Sequence, residues 1–170
     1  MNPDEPASPV QLSHNYLAAT EVAADARGGG TRLDAVLRDL LSRTIDTLEG
    51  YGGMEGGIDP QVAPLIADWV AVHERHAGEL EKLMLDRGVL GREGGIMGVV
   101  NRLVTTARAS LTGIDHAALT PLLRGEQTLI DRYADAIATS GDPGEAGLLE
   151  RHQTELLRLA NRTQDAIDGH

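Results

Sequence analysis

The chain contains no cysteine and no phenylalanine, one tryptophan and three tyrosines. Without cysteine it can form no disulfide, no thiolate nucleophile and no Cys-based zinc or iron–sulfur site. Without phenylalanine, the core of this 170-residue chain has to be packed mainly from Leu, Ile, Val and Ala. Basic residues are scarce as well: 15 Lys and Arg stand against 26 Asp and Glu, a net charge of −11, and no segment concentrates them. Such a surface repels polyanions, which argues against nucleic acid and anionic membranes as partners. No stretch approaches the ~18 consecutive apolar residues of a membrane span, and the N-terminus lacks a basic region followed by an apolar run. A soluble cytoplasmic protein is the expectation.

What is present is helical periodicity. The opening MNPDEPASP, with three prolines in nine residues, reads as a flexible lead-in. Residues 10–26 suit a short helix, cut off by the glycines at 28–30. The spacing therefore predicts a flexible segment over 1–30, dispensable for folding, and a bundle domain over 31–170, with Thr31 as a helix N-cap. The first helix carries Leu33, Val36, Leu37, Leu40, Leu41, Ile45 and Leu48 over an apolar arc of about 180°. The second, predicted from about Pro60 to Arg87 with Pro60 in its first turn, has the inner stripe Val62, Ile66, Trp69, His73, His76, Leu80, Leu83. The third begins near His116 and reads Leu119, Leu123, Glu126, Ile130, Tyr133, Ile137. The fourth follows SGDPG and reads Leu149, His152, Leu156, Leu159, Thr163, Ala166. IMGVVNRLVTTARASLTG (96–113) is helical in its own right and lies in the connection between helices two and three. GYGGMEGGID (50–59) and GREGG (91–95) read as turns; a phosphate-binding loop is excluded by the absence of a preceding strand and of a GK[ST] ending. No alternating stretch suggests a sheet, so the fold class is all-α, a helical bundle.

The stripes place polar groups inside. His73 and His76 occupy consecutive inward positions, Glu126 is inward on the third helix, His152 on the fourth, and Thr44 on the first. Glu79 and Glu155 fall at stripe edges. A carboxylate in an aliphatic core needs a partner. One reading brings His73, His76, Glu79, Glu126 and Glu155 together on a transition metal, Fe, Mn or Zn being the ions that imidazole and carboxylate suit. The other pairs Glu126 with His73 or His76 as satisfied core residues that set helix register. Counting from the loop centres puts His73 and Glu126 at equal depth and His152 roughly 9 Å away along the axis, a poor co-ligand of Glu126. Ser42, Ser110 and Ser140 have no inward histidine neighbour, so a nucleophilic triad is not indicated.

LDAVLRDLLSRTIDTL, HAGEL, GGIMGVVNRLVTTARASLTGID and above all LLRGEQTLIDRYADAI resemble a bacterial family of unknown function with a ferritin-like four-helix bundle fold, over about residues 33–168. The resemblance implies two antiparallel helix pairs joined by a long crossover, in which the periodicity of 96–113 places an additional helix. The wider superfamily holds two metals with one Glu from each of two helices and Glu-x-x-His from each of the others. Of these, Glu126 matches a lone carboxylate, Thr44 stands where the first helix would carry Glu, and His73-x-x-His76-x-x-Glu79 and His152-x-x-Glu155 depart from Glu-x-x-His. The expected role is accordingly non-catalytic binding or assembly, with a transition-metal site of degenerate ferritin-like type as the alternative. The wide arc on the first helix, with Val36 and Ile45 at its edges, adds the expectation of a homodimer.

Overall fold

The computed structural model describes residues 31–52, 59–90 and 116–169. The lead-in, the expected helix over 10–26, most of the glycine-rich turn after the first helix and the expected crossover helix over 96–113 lie outside the described residues. Within them are four long helices: α1 (Arg32–Gly52), α2 (Ala63–Asp86), α3 (Leu119–Thr139), entered through a short 3-10 turn at His116–Ala118, and α4 (Pro143–Asp168). There is no strand among the described residues. The chain is an all-α bundle.

Local chemistry sets the helix ends. Thr31 and Asp34 form a reciprocal cap on α1: Thr31 N donates to Asp34 Oδ2 at 2.7 Å and Asp34 N to Thr31 Oγ1 at 3.2 Å, satisfying two donors that the first turn leaves free. The helix α2 starts later than the sequence suggests. Asp59 holds residues 59–63 in a turn, its carbonyl accepting from Val62 N and Ala63 N, and Pro64 rather than Pro60 occupies the first helical turn. It also ends earlier than the GREGG segment: Gly88, at φ +69°, lets Val89 N reach back to Met84 O at 2.8 Å, a left-handed stop that a side chain disfavours. Asp142 caps α4 by accepting from Gly144 N and Glu145 N, with Pro143 in the first turn.

Neighbouring helices are α1 with α2, α3 with α4, α1 with α3, and α2 with α4, leaving α2/α3 and α1/α4 on the diagonals. Directions follow from side-chain pairs. Arg87, just past α2, binds Asp34 at the start of α1 and Glu145 at the start of α4, so α2 runs antiparallel to both. The hydrogen bond of Tyr51 to Glu126 and the 3.7 Å approach of Arg132 to Asp39 make α1 and α3 antiparallel too. The order along the chain is up, down, down, up.

The core is aliphatic as composition requires, with Leu37, Leu40, Leu41, Leu48, Ile66, Leu80, Leu119 and Leu156 fully buried around Trp69 and Tyr133. Ile45, at one edge of the α1 arc, is buried within the single chain, and Val36, at the other, is partly buried against the core. Among the described residues the one exposed large apolar side chain is Leu157, at 41%. No described helix is long and apolar enough to cross a membrane.

Candidate functional site

Two polar layers cross the middle of this core, one helical turn apart on α2. In the first, the hydroxyl of Tyr51 donates to Glu126 Oε1 at 2.6 Å. His73 Nε2 lies 3.0 Å from each oxygen of the same carboxylate. The Glu126–His73 contact spans the α2/α3 diagonal and so sits at the bundle centre. All three residues are at most 2% exposed. Trp69 stacks on the His73 ring, centroids 5.7 Å apart, and donates its indole N–H to Thr163 Oγ1 at 3.0 Å. Because a carboxylate only accepts, His73 carries its proton on Nε2; its Nδ1 has no hydrogen-bond partner among the described residues. Burial first, then the Glu126 charge, raise the Tyr51 phenol well above its ordinary range, so it remains a donor. This layer is closed: a carboxylate with two donors, sealed from water.

The second layer joins α2 to α4. His76 and His152 stack face to face, ring centroids 3.8 Å apart and planes within 9°. Each histidine reaches across to the carboxylate one turn along the other helix. His76 Nε2 is 2.8 Å from Glu155 Oε2, and His152 Nε2 is 2.8 Å from Glu79 Oε2. The sequence thus carries His-x-x-Glu twice, at 76–79 and 152–155, and antiparallel packing turns the repeat into two reciprocal pairs. Behind the rings, Tyr133 Oη lies 3.2 Å from His152 Nδ1 and 3.5 Å from His76 Nδ1. The imidazoles and Tyr133 are buried, whereas the Glu79 and Glu155 side chains are 42% and 38% exposed. Arg75 also binds Glu155, at 2.5 Å.

The electrostatics follow from that burial. Removal from water, followed by the neighbouring His152, lowers His76 to about 3 despite its bond to Glu155. Burial likewise lowers His152, against the opposing pull of Glu79. Glu155 is affected by burial in the upward sense, but the hydrogen bonds from His76 and Arg75 prevail and lower it. At neutral pH the layer holds two neutral imidazoles beside two carboxylates, the protonation state in which imidazole is a ligand. Its hydrogen bonds are one proton short. With both Nε2–H groups directed at carboxylates, both Nδ1 atoms are acceptors, and the Tyr133 hydroxyl has a single proton for the two.

The five residues singled out from sequence are therefore not brought to one point. His73 and Glu126 belong to the closed layer; His76, Glu79 and Glu155 belong to the α2/α4 layer, and His152 completes it. His152 does miss Glu126, as the depth count indicates, but it lies against His76. Among the described residues no group of three or more His, Asp or Glu side chains is arranged to hold a metal ion. Three participants went unnoticed in the sequence. Tyr51 sits in a Gly-rich stretch, although it continues the Leu37, Leu41, Thr44, Leu48 stripe by one more step of three. Tyr133 and Trp69 are on inward stripes, where they read as packing residues.

Comparison with known proteins finds no match among curated proteins and none among solved structures. Residues 33–139, which contain all of α2 and α3, α1 but for its first residue, and Tyr51, His73 and Glu126 of the closed layer, match the model of a domain of unknown function, DUF2383, and on that match over more than half its length the chain belongs to the DUF2383 family.

Proposed function

We propose that this chain is a ferritin-like bundle protein with a non-catalytic binding role, taking up one divalent transition-metal ion of the Fe, Mn or Zn class between α2 and α4. His76, Glu79, His152 and Glu155 are the residues that would hold it; such an ion would supply Lewis-acid charge at the seam. The up-down-down-up order, with its long connection between α2 and α3, supports the ferritin-like assignment. The observation that carries the metal reading is the reciprocal pairing of two neutral imidazoles with two part-exposed carboxylates. Two nitrogen and two oxygen donors suit these ions. The direct N–H···O bonds are what such groups make with each other when no cation is between them, and both carboxylates are partly exposed at the solvent edge. His73 and Glu126 stand outside this reading, since each is engaged by the other and sealed in.

A second reading has its own support. Both imidazoles already have carboxylate partners at 2.8 Å, so the layer also serves as a polar zipper that fixes α2 against α4. Metal analysis separates the two. Protein purified without a histidine tag is incubated with Fe(II), Mn(II) or Zn(II), desalted and assayed for bound metal. One ion per chain, lost in the His76→Ala/His152→Ala variant, is the expected result. No retained metal in the wild type, with lowered stability alone in the variant, leaves the zipper reading.

A further inference from the structure

The His-x-x-Glu repeat belongs to a longer one. Glu74-Arg75-His76-x-x-Glu79-Leu80 on α2 returns as Glu150-Arg151-His152-x-x-Glu155-Leu156 on α4. On the other two helices, Leu40-Leu41-x-Arg43-x-x-Asp46 of α1 is matched by Leu129-Ile130-x-Arg132-x-x-Asp135 of α3. The hairpins α1–α2 and α3–α4 are thus two versions of one pattern. Because α1 runs against α3 and α2 against α4, the two hairpins face each other about an approximate twofold axis. Contacts between them then come in exchanged pairs, as in an isologous interface. His76–Glu155 and His152–Glu79 are such a pair. That seam is blind to which hairpins meet: two α2 helices, or two α4 helices, from separate copies of the chain would make the same bonds.

The closed layer breaks the repeat. In the same alignment α4 carries Leu149 in place of His73, α1 carries Leu37 in place of Glu126, and Ser140 stands in place of Tyr51. Leu37 and Leu149 are fully buried. We infer that the Tyr51–His73–Glu126 layer decides which hairpins pair: it selects α1–α2 with α3–α4 and rejects two like hairpins from separate copies of the chain. Both donors lie on the first hairpin and their acceptor on the second, so only the unlike pair brings Tyr51 and His73 to Glu126. Two α3–α4 hairpins would set each Glu126 against Leu149 of the other copy. Two α1–α2 hairpins would set each His73 against Leu37 of the other copy. A buried carboxylate or donor left without its partner is costly, which penalises both wrong pairs.

The triple variant Tyr51→Phe/His73→Leu/Glu126→Leu gives both hairpins an apolar layer. Replacing a complete buried polar group by apolar residues of similar volume is tolerated, so its helical signal should persist. Unfolded in urea and refolded at high concentration, the wild type should regain the sedimentation profile it had before unfolding. The triple variant should instead gain larger species, in proportions that rise with the concentration at refolding. A triple variant that returns to the wild-type profile overturns the inference. So does one that loses its helical signal, since the layer would then hold the fold rather than choose the partner. His76→Leu/His152→Leu is the second arm: it strips the symmetrical layer, leaves the closed one, and should sediment as the wild type. Larger species from that variant would place the choice of partner in the α2/α4 layer and overturn the inference independently of how the triple variant folds.

Discussion

The two polar layers use the same residue types, a histidine facing a carboxylate with a tyrosine hydroxyl beside them, yet they differ in where the carboxylate sits. Glu126 is sealed on the central diagonal between Tyr51 and His73. Glu79 and Glu155 stand at the edge of the α2/α4 seam, reaching inward for a histidine while much of each remains in water. A buried carboxylate is bound to its donors by the cost of being without them. A rim carboxylate has water as an alternative partner, so losing a protein donor costs it less. The inner layer is therefore a fixture of the fold, and the outer one is where the proposed ion would enter.

The largest effect that follows is on Glu126. Glu126→Ala leaves a buried imidazole N–H and a buried phenol without an acceptor, and at about 1–3 kcal/mol for each unsatisfied donor should destabilise the chain by about 2–6 kcal/mol in urea unfolding, with metal uptake by the surviving folded fraction unchanged. A loss comparable to that of a surface substitution would show the two layers to be equally open.

Acid should act on the outer layer first. His76 is held near 3 in the fold against about 6.5 in an unfolded chain, and His152 is lowered as well. The unfolded state thus binds protons that the folded state refuses, so the stability these residues contribute is complete above about pH 6.5 and is lost as pH falls toward 3. For His76 alone the loss at pH 5 is about 2 kcal/mol. Melting of the metal-free chain between pH 7.5 and 5 should show this decline, and His76→Phe should flatten it. A melting temperature independent of pH in that range contradicts the stacked, neutral pair.

Trp69→Phe tests the flank of the inner layer. It retains an aromatic ring against His73 and removes the indole donor to Thr163, a loss of about 1 kcal/mol by chemical unfolding. A change above about 3 kcal/mol would indicate that the indole supports the layer by more than this bond.

Glu155→Gln should be the mildest of the four in stability. Its carboxylate is 38% exposed and its Arg75 partner 48%, and pairs of that kind contribute about 0–1 kcal/mol. The same substitution should nevertheless remove most metal retention, whereas Glu126→Ala should not. Retention insensitive to Glu155 would erase the distinction between the layers.

Ile45 illustrates a further limit on reading surfaces from sequence. At the edge of a wide arc it looks like an interface residue, but it is 2% exposed in the single chain. Ile45→Glu is therefore a core substitution, whereas Val36 is partly buried at the other edge.

Much of the candidate site is legible from periodicity because helical phase alone decides which residues face inward. The 4-3-4-3 stripes place His73, His76, Glu126 and His152 inside, and all four are buried. Equal depth of His73 and Glu126 foreshadows their contact. Tyr51 is obscured because glycine-rich composition reads as turn, although burial of its ring against His73 carries α1 one turn further. The His76–His152 stack is obscured for another reason: depth counted from loop centres gives height along the axis and no information about which helices are neighbours or on which side a ring lies.

The sequence by itself determined the all-α class, the aliphatic core, the inward polar residues and the twofold occurrence of His-x-x-Glu, since each depends only on residue type and on the 3.6-residue turn. Only the tertiary structure decided that Glu126 belongs to His73 and Tyr51, that the two His-x-x-Glu turns pair with each other, and that Tyr133 stands behind both histidines. Those outcomes depend on which helices share an edge and which a diagonal, and on their antiparallel register. That arrangement is set by the packing of the whole core, and no single helix carries it in its own periodicity.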